Sequence, residues 1–220
     1  MKLYLLGLLL ITLSILGCNS STPVKLQKDD KSGYFIVETN LFHQFLISDK
    51  TIIEKYSSLT FDPLNLEKYE IAQSTKSSVK KTWSIYDRDK ERLTNTFNKA
   101  VASNFNEGSP FSLSSESSSG TLRVSFRLKE YKPLFPKPGS ESTVGSYKIA
   151  SYGLLAFQVI LSDSTSGKFV GIIEHAEYLN ASNGAKNNPS NYMRAVSKMF
   201  GSALGDLEKS LVELKSMKDT

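Results

Sequence analysis

The sequence of 220 residues has one cysteine, two histidines and one tryptophan. A single cysteine cannot form a disulfide bond within the chain, so the fold must be stabilised by packing. The two histidines, His43 and His175, are too few for a zinc site, which usually takes three or four ligands at recognisable spacing. We therefore predict no metal and no cofactor, and we expect His175 on the surface of a strand.

Motifs of catalysis are also missing from the sequence. It has no Gly-x-Ser-x-Gly turn to present a nucleophile and no Gly-x-x-x-x-Gly-Lys loop to bind phosphate. Asp87 and Asp89 form a carboxylate pair, but a helix start explains both, because the helix dipole favours acids in the first turn. The segment from Asp163 to Gly167 has the composition of a turn. We therefore expect a protein without catalytic activity.

Beyond its first 16 residues, the chain has no apolar run of the roughly 20 residues that span a bilayer. The start of the chain is different. Lys2 precedes an apolar run from Leu3 to Leu16, and polar residues begin at Asn19. This order of positive charge, short apolar run and polar boundary is typical of a secretory signal peptide.

Cys18 stands directly after that run, behind Ile15, Leu16 and the small residue Gly17. Ile-Leu-Gly-Cys resembles the lipobox of bacterial lipoproteins. The resemblance implies cleavage before Cys18, a diacylglyceryl group on its thiol and acylation of its new amine. One acyl chain holds a protein only reversibly, whereas two or three give a stable anchor. In lipoproteins an aspartate after the cysteine favours retention in the inner membrane, and Asn19 is not an aspartate. We therefore expect the outer membrane, with the protein on the periplasmic face.

The predicted organisation is a signal peptide over residues 1–17, a lipidated flexible tether over 18–32 and one domain over 33–220. The tether is predicted from the polar sequence NSSTPVKLQKDDKS. The formal net charge of +5 is small and the basic residues are dispersed along the sequence, which favours a mixed solvated surface over nucleic-acid binding. The expected partners are the membrane, through the anchor, and a protein of the envelope, with no nucleic acid.

Two amphipathic helices are predicted from the spacing of apolar residues. The first covers residues 87–106, with Asp87 as its expected cap. Its apolar residues recur at intervals of four, namely Leu93, Phe97, Val101 and Phe105. The second follows Pro189, a residue that is favoured in the first turn of a helix, and continues as an apolar stripe to Leu214.

The strands are predicted from alternation and from long apolar runs. Residues 121–131 alternate between apolar and polar side chains, which indicates a strand with one solvated face. Residues 151–163 and 169–179 indicate a hairpin. The order of elements predicts an α+β fold, in which a mainly antiparallel sheet carries the two amphipathic helices on one face.

Several segments together resemble an uncharacterised family of Gram-negative lipoproteins. They are LTFDPLNLEKYE, a helix, TLRVSFRLKEY, a loop, VILSDSTSGK and a final amphipathic helix. The family is known as domain of unknown function 3313, and the resemblance covers about residues 30–215. The family usually has threonine before the glycine that ends VILSDSTSG, where this chain has Ser166. The family has no established activity, so the resemblance implies no catalytic residue.

One segment is predicted to contact a partner. The loop of residues 131–147 contains Tyr131, Leu134, Phe135 and Tyr147 among lysines and prolines, and long loops in compact domains are often functional. The alternative is that Leu134 and Phe135 pack under the sheet. Taken together, the lipobox, the missing catalytic motifs and the candidate partner surface favour a non-catalytic envelope lipoprotein with a role in binding or assembly. The alternative function is a lipid-binding or small-ligand-binding accessory subunit of an envelope transport system.

Overall fold

The computed structural model describes residues 24–140, 148–182 and 185–217. These residues form one sheet of nine strands, together with three helices. The strands are β1 (Lys25–Lys28), β2 (Phe35–Glu38), β3 (Gln44–Ile47), β4 (Ser58–Phe61), β5 (Glu70–Ile71), β6 (Ser112–Leu113), β7 (Thr121–Pro133), β8 (Ser151–Asp163) and β9 (Phe169–Asn180). The helices are α1 (Ser77–Lys80), α2 (Asp87–Asn104) and α3 (Pro189–Ser216).

The α+β class is confirmed, but the sheet is mixed rather than mainly antiparallel. Its order is β1-β2-β3-β9-β8-β7-β4-β6, and β5 also pairs with β7. The neighbouring strands in the part of the sheet with the order β1-β2-β3-β9-β8-β7 are antiparallel. By contrast, β4 and β5 run parallel to β7, and β6 runs parallel to β4. The parallel pairs come from short strands in a region whose hydrophobic pattern is irregular, so the sequence did not indicate their direction.

The segment of residues 58–71 runs beside β7 as an interrupted strand, and β6 pairs with its first part, β4. β4 pairs with the start of β7, Asn65 forms a bridge with Arg127, and β5 pairs with the end of β7. The interruption falls near Pro63, because proline has no N–H to donate to a neighbouring strand. The carboxylate of Asp62, just before this break, accepts hydrogen bonds from Arg123 at 2.8 and 3.0 Å and from the hydroxyl of Ser125.

The long predicted elements are present near their predicted bounds. The helix predicted over residues 87–106 is α2, the hairpin is β8 and β9, and the final helix is α3. Asn188 caps α3 by accepting a hydrogen bond from the backbone N–H of Asn191 at 2.9 Å. Within the described residues, no helix combines the length and the apolar character that a bilayer span requires.

The predicted cap of α2 is wrong. Asp87 is the first helical residue and points into solvent, while Asp89 accepts a hydrogen bond from the backbone N–H of Tyr86 at 3.0 Å. Asp89 is therefore the acid that satisfies a free N–H before the first turn, because it lies three residues after the capping position.

The core contains the predicted apolar stripes of both helices. All four residues predicted for α2 are buried, and the stripe of α3 is buried from Val196 to Leu214. Phe97 of α2 and Phe200 of α3 contact each other at 5.4 Å between ring centroids, and both contact Phe126 of β7, at 5.2 and 5.8 Å. The prediction that both helices share one face of the sheet stays a prediction.

The turn between β8 and β9 has the predicted chemistry. Asp163 accepts hydrogen bonds from the backbone N–H and the hydroxyl of Ser166, at 2.9 and 2.8 Å. These two bonds are the largest causes that hold the pKa of Asp163 well below its usual range. Gly167 has φ +68°, a conformation that favours glycine. Asp163 is therefore part of a structural turn.

The folded region begins before the predicted boundary at residue 33. Residues Lys25–Lys28, which were assigned to the flexible tether, form β1 and pair with β2. Val24 is buried and belongs to the core. The polar composition of this segment is explained by its place at the edge of the sheet, where β1 exposes most of its side chains.

Candidate functional site

An aromatic cleft lies where the starts of α2 and α3 meet the segment that follows β7. It is lined by Tyr69, Trp83, Ser84, Ile85, Asp89, Arg92, Leu93, Lys137, Pro138, Pro189, Tyr192 and Met193. Its volume is about 90 Å³. Its lining residues come from stretches that are far apart in sequence, so the cleft exists only in the folded chain.

Trp83 joins the parts of this cleft. Its ring contacts Tyr131 at 4.8 Å and Tyr192 at 5.4 Å between centroids. Its indole N–H donates a hydrogen bond to the backbone carbonyl of Phe135 at 2.8 Å. A buried indole usually finds such a partner, and here the bond fixes the segment after β7 against the aromatic wall.

Lys137 is held at the cleft by several polar contacts. Its ammonium donates to Asp89 and to the carbonyl of Ser84, both at 2.7 Å, and lies 5.1 Å from the ring centre of Tyr86. Its backbone N–H donates to the hydroxyl of Thr82 at 2.9 Å. Both members of the Lys137–Asp89 ion pair are mostly buried, so the charges are screened less than at an open surface.

The tyrosines of the cleft stay protonated at physiological pH. Burial raises the pKa of Tyr69 well above its usual value, and burial followed by the charge of Asp89 raises the pKa of Tyr192. The cleft therefore offers aromatic walls, neutral phenols and one internally neutralised ion pair.

This arrangement suits a small apolar group better than a large ligand. An engineered cavity of about 150 Å³ holds benzene, and the cleft is smaller than that. It has space for the methyl, isopropyl or thioether end of a side chain. Arg92 stands exposed at the rim and is free of the Lys137–Asp89 pair.

The four residues predicted as a partner surface have different positions. Tyr131 is fully buried, and its hydroxyl donates to the carbonyl of Tyr152 at 2.9 Å, so it belongs to the core and not to the surface. Phe135 is partly buried, whereas Leu134 is 48% exposed. Tyr147 and the predicted lipidation site Cys18 lie outside the described residues. Partner binding at Leu134 stays a prediction.

The two histidines meet where the start of β3 pairs with β9. His43 and His175 stack with ring centroids 4.5 Å apart, and His43 Nδ1 accepts a hydrogen bond from the backbone N–H of Ala176 at 3.0 Å. His175 is half-buried against Phe42 and Phe157, and its Nδ1 has no hydrogen-bond partner. Burial, then the neighbouring His43, lowers its pKa. His175 therefore lies on a strand as predicted, next to the start of β3, with its ring half-buried rather than fully on the surface.

Two half-buried acids with raised pKa lie farther along β9 and on α3. Burial raises the pKa of Glu177, and the charge of Asp206 raises it further, while Lys198 partly offsets this. Burial also raises the pKa of Asp206. Within the described parts of the chain, no three acids, histidines or cysteines converge as a metal site would require. The two acids repel each other, which weakens the fold at neutral pH.

Replacing Glu177 by glutamine should raise the stability of the protein at pH 7. The pKa of Glu177 in the folded protein is above its unfolded value of about 4.5. The contribution of Glu177 to the stability of the fold is therefore fully present below pH 4.5 and is lost as the pH rises through the folded pKa. Glutamine is uncharged, like the protonated side chain of Glu177, so the variant keeps this contribution at pH 7. We therefore expect a melting temperature higher by about 2 °C at pH 7 and a smaller difference at pH 4.

Glu174→Gln in the same strand is the matched control, with the opposite sign. Hydrogen bonds from Lys129 and then Gln158 lower the pKa of Glu174, so its contribution is present above the unfolded pKa and is lost as the pH falls through the folded value. Glu174→Gln should lower the melting temperature at pH 7. Equal effects of the two substitutions on the melting temperature would contradict the opposite pKa shifts of Glu177 and Glu174.

Comparisons with known proteins give weak similarities. No protein-family model matches the sequence, and no curated protein matches it. The resemblance to domain of unknown function 3313 is therefore not confirmed.

Among solved structures, protein XCC0632 from Xanthomonas campestris, of family DUF330, is 11% identical, with a TM-score of 0.42 over 72% of this chain and 85% of that chain. The PelC dodecamer from Paraburkholderia phytofirmans is 8% identical, with a TM-score of 0.31 over 70% and 89%. A provisionally assigned lipoprotein from Caulobacter crescentus CB15 is 12% identical, with a TM-score of 0.27 over 74% and 92%. Similarity at this level transfers no function to the chain.

Sequence reasoning missed the aromatic cleft. The signals that were present are the single tryptophan, Trp83, and the lysines and prolines after β7. They indicated a region of interest, but not that Tyr69 and Tyr192 would join it. Those two tyrosines lie 123 positions apart, and the sequence pattern does not bring them together.

Proposed function

We propose that the protein is a non-catalytic binding protein of the bacterial envelope, anchored in the outer membrane by lipids on Cys18 and facing the periplasm. Its aromatic cleft receives an apolar side chain of a protein partner. The order Lys2, apolar run, Gly17 and Cys18 supports the anchor. The aromatic cleft is the single observation that carries the binding role.

A protein partner suits the cleft because small, preformed aromatic pockets are typical anchor sites of protein interfaces. A few residues carry most of the binding energy in such interfaces, and they insert into well-packed pockets. Trp83 and Lys137 are already fixed by hydrogen bonds, so little ordering would be needed on binding. The charged rim at Arg92 would add specificity and speed to association.

The alternative is a lipid-binding or small-ligand-binding accessory subunit. A cleft of about 90 Å³ is too small for an acyl chain, since a larger cavity of about 150 Å³ binds a molecule only as large as benzene. The cleft therefore favours the protein partner over a lipid as its occupant.

A photo-reactive amino acid at Arg92 tests the binding role in cells of the native host. We expect a discrete protein adduct from this position, and none from the same residue placed at Asn98. Asn98 is exposed on the same helix, about 9 Å farther along it. Met193→Trp should fill the cleft and abolish the adduct without lowering the melting temperature.

Three results would reject the binding role. They are equal adducts from both positions, an adduct that Met193→Trp leaves unchanged, and no adduct at all. Adducts with lipid alone from Arg92 would also reject a protein partner at the cleft.

Cys18→Ser tests the anchor. The change removes the thiol that receives the diacylglyceryl group, so the precursor should keep its signal peptide and lack lipid. The measurement is the mass of the purified protein, together with labelling by radioactive palmitate. If the Cys18→Ser protein were still cut before residue 18 and still carried lipid, the anchor would be wrong.

A further inference from the structure

Positive charge is concentrated at one end of the domain. We call this the basic end, and it comprises residues 76–92, 132–140, 148 and 185–194. Its eleven basic side chains are Lys76, Lys80, Lys81, Arg88, Lys90, Arg92, Lys132, Lys137, Lys148, Lys186 and Arg194. Only three acids accompany them, Asp87, Asp89 and Glu91. The whole chain carries +5, so the remainder carries a net negative charge.

These segments are adjacent because specific contacts join them. The end of β7 pairs with the start of β8, which pairs with the end of β9. Trp83 bonds to Phe135 and contacts Tyr192 of α3, and Asn187 donates to the carbonyl of Pro136 at 3.4 Å. All the basic side chains of this end except Lys137 are exposed. Apart from the Lys90–Asp87 and Lys137–Asp89 ion pairs, these charges face the surroundings.

β1 begins on the side of the sheet that faces the basic end. β9 runs toward the basic end, and β3, β2 and β1 alternate in direction across the sheet. β1 therefore runs away from the basic end, and Val24, which precedes it, lies on the side that faces the basic end.

The connection from Cys18 to the domain is short enough to limit how far the domain can lie from the membrane. Val24 is six positions after Cys18, and six extended residues span at most about 20 Å. Following the register through β2 and β3, Lys25 lies at the level of Glu174. Asn180, six residues farther along β9, is about 20 Å nearer the basic end. Lipids on Cys18 would therefore hold the basic end close to the bilayer.

We propose that the basic end docks on the anionic headgroups of the membrane that holds the anchor, and so fixes the orientation of the domain. This inference rests on the proposed function, because it uses lipids on Cys18. Exposed lysines and arginines are attracted to anionic phospholipid within about one Debye length, roughly 10 Å at 0.1 M salt. The short connection and the direction of β1 favour a lipid surface over a soluble anionic polymer.

The experiment uses the lipidated protein reconstituted into vesicles. Cys18 is the only cysteine and its thiol carries lipid, so an introduced cysteine is labelled alone. Ser78→Cys places a fluorophore on α1 at the basic end, and Ser115→Cys places it in the exposed loop before β7. Quenching by headgroup-labelled lipid is measured in vesicles of phosphatidylcholine, with or without phosphatidylglycerol.

We expect the label at Ser78 to be quenched at least twofold more in vesicles with phosphatidylglycerol, and the label at Ser115 to be unaffected. Salt at about 1 M, where the Debye length is about 3 Å, should remove the difference. The double variant Lys81→Glu and Arg88→Glu should remove it as well. The control variant Lys99→Glu and Lys168→Glu makes the same change of charge away from the basic end and should retain it.

Several outcomes would overturn the proposal. They are equal quenching in neutral and anionic vesicles, stronger quenching at Ser115, and equal losses in the two charge-reversed variants. Inorganic phosphate that abolishes quenching, where chloride of equal ionic strength does not, would indicate a site for free phosphate instead. Failure of the anchor is seen separately, because a protein without lipids leaves the vesicles at about 1 M salt and takes up a second label on its free Cys18 thiol.

Discussion

Gly153→Ala should destabilise the domain by about 3 kcal/mol or more. A Cβ atom at this position would overlap the backbone carbonyl oxygen of Lys132 and would lie 2.9 Å from both Pro133 and the ring of Tyr131. Two of these neighbours are backbone of the paired strand β7, so they cannot move without breaking the pairing. The φ of +153° adds strain for any residue with a side chain. Urea unfolding measures the loss.

The effect should also be visible in the aromatic cleft. Tyr131 contacts Trp83, and Trp83 is the only tryptophan, so its fluorescence reports on this region alone. Gly153→Ala should shift the emission of Trp83 in the folded protein.

Gly201→Ala is the matched control for that substitution. Gly201 lies inside α3, and nothing stands within 4 Å of the position that its Cβ would take. Alanine there should stabilise the protein by roughly 0.5–1 kcal/mol, because it restricts the unfolded chain and suits a helix. A loss of stability of similar size in both variants would contradict the explanation by close approach.

Phe200→Ala should lower the free energy of unfolding by about 3–5 kcal/mol, the range for removing a buried phenylalanine ring. Phe200 is fully buried and contacts both Phe97 of α2 and Phe126 of β7. Its removal leaves a cavity where two helices and the sheet meet. For a domain of this size the melting temperature should fall by roughly 10 °C, measured by circular dichroism.

The control for this substitution is Leu134→Ala. Leu134 is 48% exposed, so its truncation should change the free energy of unfolding by no more than about 0.5 kcal/mol. If Phe200→Ala were as mild as Leu134→Ala, α3 would not pack as the ring contacts indicate. The comparison therefore tests the contact between helix and sheet, as well as the size of the core.

The long elements could be predicted because their own residues specify them. The interval of four in α2 and the alternation in β7 each place a full set of apolar side chains on one side. The short strands from β1 to β6 could not be predicted in the same way. Strands of two to four residues carry too few alternations to show a period. Their direction depends on β7 and β9, which come later in the chain.

The candidate site was less predictable than the fold. The aromatic residues after β7 indicated the right region, but Tyr131 proved to be core, and the cleft is built around Trp83 and Tyr192 instead. His175 was expected on the surface because the sequence shows only that it alternates with Glu174. The sequence does not show that His43 would stack on His175 at the start of β3.

The sequence by itself determined the features that depend on neighbouring residues. These are the charged and apolar start with Cys18 behind it, the two amphipathic helices, and the hairpin with its Asp163–Gly167 turn. Only the tertiary structure decided the mixed sheet, the aromatic cleft and the basic end. Lysines and arginines that are dispersed along the sequence meet in space because the ends of β7 and β9 and the starts of α2 and α3 come together. Long-range pairing, which no local pattern encodes, is the physical reason.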